Sequence, residues 1–144
     1  MSKIAFQRAF QELTETEVQK LLEKSRDLIY QDGAVMMREG DDQGQIMVIL
    51  AGEVRVVRLA KGGKEVDLTT PLTAGDTVGE MSFIDHMGAS ATLIAKGDVV
   101  VKSVDHELVQ EMANGEPTFL QRFYHSLLYT VIRRLRVVDF KMTY

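Results

Sequence analysis

Between Asp27 and Lys102 the chain is cut into short apolar segments by glycine-bearing turns, and this limits the fold more than any other feature. The segments are Leu28–Tyr30, Ala34–Met37, Ile46–Leu50, Glu53–Leu59, Val66–Thr70, Thr77–Val78, Thr92–Ala95 and Val99–Ser103. Turn signals such as Gln31-Asp32-Gly33, Ala51-Gly52 and the hairpin tetrapeptide Lys61-Gly62-Gly63-Lys64 separate them. Roughly eight short strands at this spacing predict an antiparallel sandwich or barrel, not βαβ units.

Helical signals flank this region. Thr14 reads as an N-cap, Glu17 completes a capping box, and Leu13 with Val18 forms a hydrophobic staple. Ile4, Phe6 and Phe10 predict a second short helical piece before it. Asp105 caps a helix running to Met112, which Asn114-Gly115 stops. Pro117 then opens a last helix reaching about Asp139. Along it Tyr124, Leu128, Val131, Leu135 and Val138 form an a/d stripe. Phe119, Leu120, Phe123, Leu127 and Ile132 widen the apolar surface. Such a helix either packs on its own body and on a second copy, giving a homodimer, or buries both stripes within one chain. The expected fold is mainly β (α+β): a jelly-roll (double-stranded β-helix) barrel with an N-terminal helix and two C-terminal helices. One domain is expected, with helices over 1–26, the β-roll over 27–103 and helices over 104–144.

Composition excludes several chemistries. With no cysteine there is no disulfide framework, thiolate metal site or cysteine nucleophile. His86, His106 and His125 are scattered in sequence, so a metal-dependent jelly-roll enzyme is not expected. No nucleophile–base pair stands at a readable spacing, and Asp76 and Asp85 are natural turn and loop residues beside Glu80. The longest apolar run, Ile46 to Ala51, is too short for a membrane span, and no signal peptide is evident. A cytoplasmic location is the expectation. Net charge is −4, yet residues 117–144 hold five basic residues against one acid. That helix is a solvated basic face, a surface for a specific partner, or a nucleic-acid contact.

The stretch Ala74–Ala95, AGDTVGEMSFIDHMGASATLIA, carries the ligand signal. It turns at Ala74-Gly75-Asp76, makes a short strand, and sets Gly79-Glu80 at the start of a one-turn helix. A glycine loop then leads into another strand. Helix-start and loop amides in this order form a small anion cradle, unless the stretch is an ordinary strand–loop–strand connection.

Three groups of residues resemble one family. Gly40-Asp41, Ile46–Leu50 and Gly52-Glu53-Val54-Arg55-Val56 are similar to the first half of a cyclic nucleotide-binding domain. Gly75-Asp76-Thr77-Val78-Gly79-Glu80-Met81-Ser82-Phe83 resembles its phosphate-binding cassette, and Ser90–Ala95 the strand after it. Ile132-Arg133-Arg134-Leu135 resembles the long C-helix of bacterial catabolite-activator and oxygen-sensor regulators. The resemblance implies that Glu80 accepts the ribose 2′-hydroxyl and that the amides of Gly79, Glu80, Met81 and Ser82 face the cyclic phosphate. A proline-arginine pair normally follows, its arginine neutralising the phosphate through a forked pair of hydrogen bonds. Here that pair is Gly88-Ala89. Ala89, Ser90 and Ala91 retain amides and one hydroxyl as donors. Arg133, Arg134 or Arg136 substitutes for the charge if one turns inward, and Asp139 falls in the base-contacting region.

The resemblance implies a non-enzymatic regulatory module, dimeric through its last helix, that takes cyclic AMP, cyclic GMP or a related nucleotide and needs no cofactor. The missing arginine implies weak binding. The alternative is a ligand-blind dimerisation or protein-interaction module of the same fold. Many relatives append a helix-turn-helix for DNA; none is expected within residues 1–144.

Overall fold

The computed structural model describes the backbone of residues 2–143 and the side chains of residues 2–136. In chain order it contains α1 (Ser2–Ala9), α2 (Glu15–Lys24), β1 (Arg26–Tyr30), β2 (Val35–Met37), β3 (Gln45–Leu59) and β4 (Glu65–Asp67). Then come β5 (Thr77–Val78), α3 (Glu80–Asp85), β6 (Thr92–Asp105), α4 (His106–Asn114) and α5 (Phe119–Thr143). The predicted caps form. The Thr14 hydroxyl accepts from the Glu17 amide at 3.2 Å while the Glu17 carboxylate accepts from the Thr14 amide at 2.8 Å. Asp105 accepts from the Leu108 amide at 2.8 Å and starts α4.

Two pairs of expected strands are single long ones. Ile46–Leu50 and Glu53–Leu59 fuse into β3, and Thr92–Ala95 and Val99–Ser103 fuse into β6. Ala51-Gly52 does not reverse the chain. The β3–β6 register shifts between Ile49 and Ala51 and again between Ala51 and Glu53, so the glycine marks a bulge that bends a continuous ladder.

Among the described residues the strands form one six-stranded antiparallel sheet that does not close, in place of the expected barrel. The reason lies in the pairing. Long β3 and β6 pair centrally, and each carries two short strands in succession on its outer edge. β1 and β2 lie along β6, and β5 and β4 along β3. No pairing joins β1 to β4, and both remain edges.

The run Ile46-Met47-Val48-Ile49 has no polar alternation because both its faces are buried. Ile46 and Val48 enter one core with Phe6, Phe10, Leu21, Phe119, Phe123 and Leu127. Met47 and Ile49 point the other way, into a second core with Val54, Val78, Leu93 and Val101. The first core binds the helices to the sheet, and Phe10 stacks on Phe123 at 5.3 Å between ring centroids. The second underlies the Ala74–Ala95 stretch.

Candidate functional site

At Gly79 the chain leaves β5 and starts α3. A Cβ there would lie 2.6 Å from the Gln45 carbonyl oxygen, and the backbone φ is +88°. Only glycine lets the cassette pass this close to β3, and that approach drops Glu80 into the sheet. Glu80 is 2% exposed, and Ser82 is buried beside it. Met81 points outward, half exposed.

One oxygen of the buried carboxylate is engaged by a charge partner. Arg134 of α5 donates through Nη1 to Glu80 Oε1 and through Nη2 to the Thr77 carbonyl. The Thr77 hydroxyl lies 3.5 Å from Glu80 Oε2. Burial pushes the Glu80 carboxyl above its ordinary range, opposed by the Arg134 charge, its own backbone amide and the Thr77 hydroxyl. Oε1 is thus committed to Arg134, whereas Oε2 has a single long contact and keeps acceptor capacity.

These groups line a cleft of about 480 Å³, mouth included. Gly79, Glu80, Met81 and Ser82 form one side, Ala89, Ser90 and Ala91 another, and Arg134 closes the end. The remaining walls are apolar: Met37, Val56, Leu72, Val78 and Leu93. Eight of the nine site residues expected from sequence therefore meet in one place. The ninth, Asp139, lies outside the residues whose side chains are described. The apolar wall was missed, since it comes from strands whose register only the fold reveals; alternation at Val54 and Val56 was the available signal.

Two expected anion donors are otherwise occupied. The Ala89 amide donates to the Asp41 carbonyl at 2.7 Å. Arg134 does turn inward, but onto Glu80 and Thr77. Near α3, His86 and His106 are neighbours at 5.2 Å between ring centroids, closer than their sequence separation suggests. Among the described residues no group of three or more His, Cys, Asp or Glu is placed to hold a metal ion. No helix there is long and apolar enough to cross a membrane.

Residues 28–116, more than half of the chain, match the family model described as the cyclic nucleotide-binding domain. The chain belongs to that family. It is 28% identical over 133 residues to the Cyclic AMP receptor protein of Thermus thermophilus, covering 92% of this chain and 59% of that one. It is 36% identical over 87 residues to the cAMP-dependent protein kinase regulatory subunit of Schizosaccharomyces pombe, covering 60% of this chain and 20% of that one. It thus spans less than two thirds of the length of either relative. Among solved structures, the Thermus thermophilus Catabolite Activator Protein superposes with a TM-score of 0.78 at 27% identity, covering 94% of this chain and 62% of that one. A cyclic nucleotide-binding domain from Methylobacillus flagellatus shares the fold, with a TM-score of 0.79 at 21% identity over 94% of this chain and 80% of that one.

Within the family, the departure at the loop tip extends to the backbone. Gly88 has φ +89°, and a Cβ on it would lie 2.6 Å from the Gly40 carbonyl oxygen. Proline fixes φ near −65°, so a proline-arginine pair cannot adopt this path. The tip packs instead against Gly40, whose amide donates to the Ala89 carbonyl at 2.8 Å.

Proposed function

We propose that this chain is a non-enzymatic, cytoplasmic regulatory module that binds cyclic AMP, cyclic GMP or a close relative by its ribose, holds the phosphate weakly, and signals through α5. The observation that carries this is the Arg134–Glu80 contact, in which the terminal helix grips a buried carboxylate of the cleft. A ribose hydroxyl donating to Glu80 Oε2 changes the charge balance that holds Arg134. α5 then repacks on the sheet, so ligand binding biases its position. Phe83 offers a second link, since its ring lies on His106 of α4 at 3.7 Å and against Phe123 of α5 at 6.1 Å.

α5 divides as its two stripes require. Phe119, Phe123 and Leu127 are buried in the helical core, whereas Tyr124, Leu128 and Leu135 are exposed. The exposed stripe supports a homodimer through α5, whose geometry the ligand adjusts. The apolar fraction of the cleft wall suits a purine base. Ala89 in place of arginine lowers affinity by about one to two decades relative to a site with that charge-assisted pair.

Ribose recognition is tested by comparing cyclic AMP with its 2′-deoxy analogue on the wild type and on Glu80→Gln. Loss of a hydrogen bond to a charged group predicts about tenfold or more weaker binding of the deoxy analogue to the wild type. Glu80→Gln narrows that gap. Equal affinity of the wild type for both ligands removes Glu80 from ribose recognition.

A further inference from the structure

The cleft has apolar walls and a carboxylate already joined to the one arginine that lines it, so a ligand phosphate needs a cation from elsewhere. Among the described residues, one arginine is hydrogen-bonded to the loop tip. Arg58 Nη2 donates to the Ser90 carbonyl at 2.8 Å. This side chain comes from β3, the strand that also supplies Val56 to the cleft wall. The register Val56↔Leu93, Val57↔Thr92 brings the next residue of β3 level with Ala91. Residues 54, 56 and 58 share one face of the strand by alternation. Arg58 therefore continues the ligand-facing row to the rim where Gly88-Ala89 lacks a charge.

Its side chain is 55% exposed, and its other polar neighbour is Glu39, with Nε 3.5 Å from Oε1. One good hydrogen bond leaves most of the guanidinium's five donors uncommitted. The Glu39 amide donates to Thr92 Oγ1 at 3.0 Å, which anchors its backbone beside β6, so an acidic and a basic side chain stand together next to Ser90. Given a cyclic nucleotide in the cleft, as proposed above, we infer that Arg58 supplies from β3 the guanidinium that the phosphate loop lacks. The phosphate monoanion lies between Arg58 and the Ser90 hydroxyl, and displaces or shares the Glu39 contact. The side chain needs only to rotate across Ser90, an exposed movement with no core rearrangement. Its specificity is for a phosphodiester over an uncharged nucleoside.

The test is calorimetric titration of cyclic AMP and of adenosine into the wild type, Arg58→Gln and Glu39→Gln, with melting curves as a folding control. Arg58→Gln weakens cyclic AMP by about tenfold or more and leaves adenosine within about twofold, because only the former carries the anion. Glu39→Gln tightens cyclic AMP severalfold by releasing Arg58 and removing a like charge from the phosphate. Unchanged cyclic AMP affinity in Arg58→Gln overturns the assignment, as does an equal loss for both probes, which marks a structural role. A wild type that binds neither probe overturns the parent function and the Arg58 role with it; undiminished cyclic AMP affinity in Arg58→Gln overturns the Arg58 role alone.

Discussion

Glu80 and Gly79 act as a pair: the glycine permits the approach and the carboxylate occupies the buried position it creates. Gly79→Ala forces a Cβ to within 2.6 Å of the Gln45 carbonyl in left-handed backbone. A loss of about 1–3 kcal/mol in chemical denaturation is expected, together with loss of ligand binding. Ala89→Arg introduces the family's charge at a residue that lines the cleft. It is expected to tighten cyclic AMP by about one to two decades; no gain shows that the Gly88 path turns position 89 away from the phosphate. Residue identities at the cassette were legible because the Gly-Glu pair and the glycine spacing resemble the family's cassette, and glycine carries a local backbone requirement. Thr77 and Arg58 were not. Each acts through a neighbour far along the chain, Arg134 for the first and Ser90 for the second, and no local pattern encodes that.

Elements were legible where their signals are local. The caps of α2 and α4 lie where Thr14 and Asp105 put them. Strand number was overestimated, because Gly52 looks the same in sequence whether it turns a hairpin or bulges a ladder. At this scale α5 makes opposite predictions for its two faces. Phe123→Ala removes a fully buried ring and is expected to destabilise the fold by about 3–5 kcal/mol. Leu135→Glu lies on the exposed face and disturbs no packing within the chain. It converts the proposed dimer to monomer by light scattering; an unchanged mass places Leu135 outside the interface.

α5 is also tied to α2 by a forked pair, Arg122 Nη1 and Nη2 on Glu17 Oε1 and Oε2 at 2.5 and 2.8 Å. The Arg122 hydrogen bond holds the Glu17 carboxyl below its ordinary value of 4.5. The stabilisation is therefore present above pH 4.5 and is lost as pH falls through the depressed folded value. Glu17→Gln flattens the acid limb of the stability curve. Glu80 has the opposite sign: its raised folded value means that stability declines as pH climbs from 4.5 through that value.

For the whole molecule, the cleft, the sheet and the terminal helix meet at one contact. Glu80 starts α3, Thr77 begins β5, Arg134 belongs to α5, and all three are hydrogen-bonded together. Breaking that set without ligand tests the coupling. Arg134→Ala leaves the Glu80 carboxylate buried without its charge partner, and faster amide exchange is expected along α3 and the second half of α5. The open sheet was not foreseen, because barrel closure depends on whether the edge strands β1 and β4 meet, and nothing in either short segment specifies that.

The most direct measurement is calorimetric titration of the unaltered chain with cyclic AMP and with cyclic GMP. Saturable binding of at least one, weaker than in a site with the loop arginine and abolished by Glu80→Ala, is the predicted result. No heat with either nucleotide at millimolar concentration contradicts a ligand-sensing role and leaves the fold as an interaction module.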